Sequence, residues 1–229
     1  MLIIRNNYIR KGILVINMKL IKPKIDEVED VGDFRKEISQ NIDTYEIKEK
    51  RFKNLIDETI QAEKYEFRNC IFESCQYIQS NFENAYFADV IFQNCDFSNS
   101  NFSKAGFNRV EFINCKLTGC DFIETDIANV YIRESNLAYV NFSDSHFKDI
   151  KIESSNLQNS SISEAKIKDL EFSDCNLNRT QWVRTKLKGI DFTTCELSGI
   201  TVDIADLNGA IVNEFQALEL SKLLGLQIK

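Results

Sequence analysis

Proline, histidine and tryptophan each occur once in the 229 residues, and methionine twice. A lone histidine, His146, with no nucleophile placed beside it makes no catalytic site. The seven cysteines include no C-x-x-C pair and no His cluster, so no zinc site is written in the chain. Phosphate-loop and dinucleotide glycine patterns are absent too. An odd cysteine count without a disulfide framework reads as a reduced, cytoplasmic protein. Apolar stretches within residues 1–17 are broken by Arg5 and by Arg10 and Lys11, and no small-residue cleavage site follows. That makes neither a signal peptide nor a membrane span. Met18 is read as the true start, with 1–17 an upstream extension.

What the chain does contain is unevenly spent. It is 43% apolar, and seventeen residues are Phe, as if one slot recurred. The net charge of −7 falls almost wholly on the second part: residues 1–65 balance to +1 and 66–229 to −8. The negative excess argues against direct nucleic-acid binding and for a basic partner.

From Phe67 onward every fifth residue is large and apolar. The column runs Phe67, Phe72, Tyr77, Phe82, Phe87 and on to Val212, 30 positions without a slip. Neither a helix, at 3.6 residues, nor a strand, at 2, produces a strict five. A second column two residues earlier is mostly small, and all seven cysteines lie in it. Large and small inward with three polar positions outward is the pattern of a narrow tube filled by side chains.

The number of sides follows from chemical uniformity. At a spacing of 20 the small column splits into files such as Val90, Val110, Val130, Ile150, Leu170, Ile190, and Cys75, Cys95, Cys115, Ser135, Ser155, Cys175, Cys195. Spacings of 15 or 25 scramble them, so four pentapeptides make one coil. Gly or Asn recurs two residues after the large one, at 69, 84, 94, 99 and 114 among others, as a type II corner demands. The expected rod holds roughly 7.5 coils and is roughly 36 Å long at about 4.8 Å per coil.

Exposed coil ends need caps. Asn213 is expected to N-cap a helix over Glu214–Leu224, with Gly225 as its stop and a short strand at Leu226–Ile228. Phe215, Leu218, Leu220, Leu223 and Leu224 make this segment too apolar for a solvated lid, so they are the expected interface of a homodimer, with a plain end cap as the alternative. The expected organisation is then an N-terminal cap and degenerate first coil over 18–64, the β-helix over 65–213, and the cap over 214–229. Within 18–64, Ile47 and Phe52 keep the register while Asp57 and Ala62 leave it.

Units such as Cys95-Asp96-Phe97-Ser98-Asn99 and Ser100-Asn101-Phe102-Ser103-Lys104 resemble the pentapeptide-repeat family. The resemblance covers 67–212 and implies an all-β solenoid, a right-handed quadrilateral β-helix. Size, uninterrupted rod and apolar terminal helix are similar to the Qnr-type quinolone-resistance proteins. That likeness implies a dimeric, non-enzymatic DNA mimic that binds DNA gyrase or topoisomerase IV and protects it from fluoroquinolones. Without a slip between 67 and 212, no loop interrupts the coils, and action would come from the rod surface and the cap.

The surface offers a candidate for that role. Glu124, Asp144 and Glu164 fall in one file at spacing 20, and Asp149 and Asp169 in the adjoining one. A rise of about 4.8 Å is not far from the roughly 3.4 Å between phosphates on one strand. Against mimicry stands chance alignment on an acidic solenoid whose charge keeps it soluble. A structural or adaptor solenoid with an unrelated protein partner is the alternative. A redox or metal role for the cysteine files is a third possibility, outweighed by their reading as small buried hydrophobes. No cofactor, membrane or small-molecule substrate is expected.

Overall fold

The computed structural model describes residues 7–10, 13–16, 18 and 20–226. Of the upstream extension read over 1–17, only strands β1 (Asn7–Arg10) and β2 (Ile13–Ile16) are described, paired antiparallel. From Glu46 onward the chain is a right-handed, four-sided parallel β-helix. Its strands are β4 (Glu46–Lys48), β5 (Lys50–Lys53), β6 (Glu66–Glu73), β7 (Tyr86–Gln93), β8 (Gly106–Ile113), β9 (Asp126–Arg133), β10 (His146–Glu153) and β11 (Lys166–Ser173). Every pairing among them is offset by 20, as in Phe67 with Phe87 and Ile150 with Leu170.

The coil is square because its corners are fixed by backbone geometry. Each of β6 to β11 runs along two sides and bends at its fourth residue, from Asn69 (φ 51°) to Asp169 (φ 63°). Every fifth residue from Glu49 to Gly189 takes a positive φ, whatever its type. Asn and Gly do so at little cost, but Lys104, Arg109 and Tyr139 take the same conformation. The first side carries Phe67 and its file and the second carries Phe72 and its file. The third and fourth sides, under Tyr77 and Phe82, pair neighbouring coils at single residues such as Gln76 with Asp96 and Asn81 with Asn101, flanked by backbone hydrogen bonds such as Tyr77 N to the Asp96 carbonyl at 2.8 Å.

The bore is filled by side chains, aromatic over the first coils and largely aliphatic beyond them. Large residues from Phe67 to Val202 are buried, Ile167 alone being half-buried. Rings in one file stack at the coil rise, 5.0 Å for Phe87 with Phe107 and 4.8 Å for Phe92 with Phe112. The small column does polar work as well as filling space. Ser100 Oγ donates to the Tyr77 carbonyl at 2.8 Å, Thr185 Oγ1 to Ile162 at 2.8 Å and Cys120 Sγ to Phe97 at 2.9 Å. Thiol and hydroxyl are interchangeable there because each donates to a carbonyl of the preceding coil.

At the N-terminal end, residues 46–65 are paired in register with the next coil, through Glu46 with Glu66 and Gln61 with Asn81. Asp57 does not enter the bore; it faces outward and pairs with Arg35 Nε at 2.9 Å. Its place is taken from outside the repeat. Helix α1 (Phe34–Gln40), N-capped by Asp33, drives Phe34 into the bore. Preceding α1, strand β3 (Glu29–Val31) adds to β5 at the rod's edge.

Residues 20–28 form an extended strap along the corner between the first and second sides. Asp26 N donates to Asn69 Oδ1 (3.0 Å), Lys24 N to Asp89 Oδ1 (2.9 Å), Ile21 N to Asn129 Oδ1 (3.3 Å) and, beyond the strap, Met18 N to Glu171 Oε1 (3.4 Å). The strap thus crosses coil after coil at right angles to the strands.

At the other end, α2 (Glu214–Ser221) begins in a capping box between Asn213 and Gln216 and passes into a 3-10 turn at Lys222–Leu224. The single expected helix is therefore two, and Gly225 ends it with φ 72°. Gln216 is buried, and its Nε2 donates to the Phe192 and Cys195 carbonyls, both at 2.7 Å. Leu226 belongs to no strand, and Gln227 and Ile228 of the expected final strand lie outside the described residues.

Candidate partner-binding surface

Glu124, Asp144 and Glu164 all sit in positive-φ corner positions, after the fourth side, and all are exposed. Corner placement follows from the repeat: the second residue after the inward one has nowhere to point but outward. Glu164 is ion-paired with Arg184 of the next coil. Among the described residues Glu124 and Asp144 have no ion pair. Lys104, the preceding member of the file, turns to Glu83 at 3.7 Å.

Asp149 and Asp169 occupy the next corner, between the first and second sides. Asp169 is exposed and Asp149 half-buried. The two acidic files are not contiguous, because the first side lies between them and carries His146, Lys148, Lys166 and Lys168. The adjoining files of the sequence reading are separated by this basic strip, a consequence of folding that a linear count of charges does not show.

The second side adds carboxylates beside Asp149 and Asp169. Glu153 accepts from Lys151 Nζ (3.0 Å) and Tyr131 Oη (2.9 Å), which holds its pKa below the ordinary value. Glu171 follows on the next coil, and Asp174 at the corner after it. Sorting by position modulo 20 would have joined them to the corner pair. Upstream on that corner, Arg109 grips both Asp89 oxygens at 2.6 Å, and this pairing lowers the Asp89 pKa.

The terminal cap presents the apolar residues expected at a dimer interface. Phe215 is 74% exposed, Leu224 58%, Leu218 48% and Leu223 37%. Leu220 instead packs half-buried against the core. The cysteines are all buried with free thiols. Burial pushes Cys70 and Cys120 up to about 12. Cys75 is raised by its hydrogen bond with Cys95 and by burial, and Cys175 likewise by Cys195 and burial. These four thiols are poor nucleophiles and poor ligands, whereas the hydrogen bond from Cys175 holds Cys195 below the ordinary value. No group of metal-ligating side chains occurs among the described residues, nor is any helix there long and apolar enough to cross a membrane.

A corner-turning, five-residue solenoid of this kind defines a class. The family model for the pentapeptide repeat region matches residues 65–142, 87–162 and 136–202, and the chain belongs to the pentapeptide-repeat family. Among solved structures it is similar to QnrB1, a plasmid-mediated fluoroquinolone resistance protein. A trypsin-treated form of QnrB1 is 22% identical, over 78% of this chain and 91% of that one, with a TM-score of 0.47. Full-length QnrB1 is 22% identical over 79% and 90%, with a TM-score of 0.39. HetL, a pentapeptide-repeat protein of the cyanobacterium Nostoc involved in heterocyst differentiation regulation, is 11% identical over 78% and 97%, with a TM-score of 0.22. No curated protein matches the sequence.

Proposed function

We propose that this chain works by binding rather than by catalysis, offering an acidic corner of a stiff rod to a protein groove built for duplex DNA. A type II topoisomerase, DNA gyrase or topoisomerase IV, is the partner that the Qnr-like repeat and cap suggest, with protection from fluoroquinolones as the outcome. The carrying observation is the exposed file of Glu124, Asp144 and Glu164, one carboxylate per coil along a straight corner. Stacked like charges are unfavourable within the rod, and a basic groove would relieve them. The proposed unit is a homodimer joined through Phe215, Leu218, Leu223 and Leu224, because a monomer leaves these side chains in water. Its proposed compartment is the cytoplasm, where the buried thiols stay reduced.

The test is a supercoiling assay with purified gyrase. The wild-type rod should inhibit supercoiling, and Glu124→Lys, Asp144→Lys and Glu164→Lys together should weaken inhibition by at least about tenfold while the rod stays folded. Unchanged gyrase binding by the triple variant defeats the acidic-corner reading.

A second reading has its own observation. The lysines between the two acidic corners have no counterpart on a phosphate backbone, and they favour an adaptor for an unrelated, mixed-charge protein. The two readings separate in a pull-down with competitor DNA: a DNA mimic loses its partner to duplex, and an adaptor does not.

A further inference from the structure

We propose that the first side of the rod, over the three coils that carry His146, Lys166 and Lys186, is a separate docking strip for an extended acidic peptide of a partner protein. Six exposed side chains form a grid there: His146, Lys166 and Lys186 in one file, Lys148, Lys168 and Lys188 in the other. The register sets His146 against Lys166 and Lys148 against Lys168. His146 meets Asp126 at 2.8 Å, but among the described residues none of the five lysines belongs to an ion pair. Like charges directly paired across neighbouring strands are destabilising. An acidic occupant removes that repulsion and gains five cations at once.

The margins of the strip select the occupant. Asp144 and Glu164 line one edge and Asp149 and Asp169 the other. The strip is one side wide, about five residues or roughly 16 Å, and a duplex lying on it would press phosphates against both acidic edges. A single nucleic-acid strand needs aromatic platforms for its bases, and the outward positions of the first side on these coils are all His or Lys. An acidic peptide needs neither width nor stacking.

The rod already holds one extended segment in this manner. The strap of residues 20–28 lies along the adjacent corner, its backbone N–H groups at Ile21, Lys24 and Asp26 reaching corner side chains of successive coils. Towards the N-terminal end the strip opens into a depression of about 620 Å³ lined by Tyr86, Lys104, Gly106, Arg109, Lys148 and one carboxylate, Asp126. Gly106 lets the Tyr86 ring lie against the backbone at its floor: a Cβ there would be 2.6 Å from that ring. Lys148 lines both the grid and the depression, so a peptide leaving the grid has somewhere to go. This inference is independent of the topoisomerase reading.

The experiment is fluorescence anisotropy on the full chain with labelled hexaglutamate, hexaglutamine and a short oligothymidylate. Hexaglutamate should bind, and more weakly as salt rises. Replacing Lys148, Lys168 and Lys188 by Gln should weaken it by at least about tenfold, and replacing all three by Glu should abolish it. Arg179→Glu, a charge reversal at the corner between the third and fourth sides, should leave it within about twofold. Thermal unfolding of each variant separates lost binding from lost structure. The proposal is overturned by hexaglutamate binding no tighter than hexaglutamine, by undiminished binding to the triple Gln variant, or by oligothymidylate outcompeting hexaglutamate.

Discussion

The ring of Phe34 lies 4.8 Å from that of Tyr77, at the level of the bore where the repeat would have put residue 57. It also meets Phe52 edge-on at 4.8 Å and Phe72 at 5.9 Å. A helix that is not part of the solenoid thus supplies the side chain that closes its first coil.

Phe34→Ala should therefore open the N-terminal end. The loss is that of a fully buried aromatic, about 3–5 kcal/mol, visible as a lowered denaturant midpoint. Residues 46–65 should lose hydrogen-exchange protection before the coils beyond them. A change under about 1 kcal/mol would show that the end collapses around the gap.

Tyr77 itself carries a defect. Its hydroxyl is buried without a hydrogen-bond partner among the described residues. Tyr77→Phe removes the orphan and keeps the ring, so stability should rise by about 1 kcal/mol. A destabilised variant would reveal a partner for the hydroxyl in solution.

Gln216 closes the opposite end, so Gln216→Leu strands the Cys195 carbonyl and takes one of two donors from that of Phe192, and should cost on the order of 1–3 kcal/mol. Gln216→Glu adds a pH signature. Its protonated carboxyl can donate to a carbonyl, whereas its carboxylate meets two acceptors, so the folded pKa should rise above the ordinary Glu value of about 4.3. Stability should then be greatest below that unfolded value and fall as pH climbs through the folded one. A pH-independent difference from wild type would exclude this role.

Phe215→Glu with Leu218→Glu should convert a dimer to a monomer in sedimentation velocity, with little loss of folding because both side chains are exposed in the single chain. A wild-type chain that sediments as a monomer at micromolar concentration would remove the dimer altogether.

Much of the fold was legible because the bore accepts one large side chain per side per coil, which stamps a period of five on the sequence. Four sides were legible for a related reason: stacked small residues donate to equivalent carbonyls, so Cys75, Cys95 and Cys115 share one environment. Phe34 was not, since its place comes from a neighbouring helix and nothing periodic points to it. Nor was the strap, which is held by backbone N–H groups and leaves no side-chain signature. The acidic residues were found, but their grouping was not. Asp149 and Asp169 join Glu153 and Glu171, and the lysines that part them from Glu124 and Asp144 emerge only when the surface is unrolled coil by coil.

The strap also bears on how the rod comes apart. A stack in which each coil touches only its neighbours can fray from either end, one layer at a time. A tie laid lengthwise over Asn69, Asp89 and Asn129 couples layers that otherwise never meet, so the middle of the molecule should unzip as a block, and cutting the chain near residue 28 should restore gradual fraying.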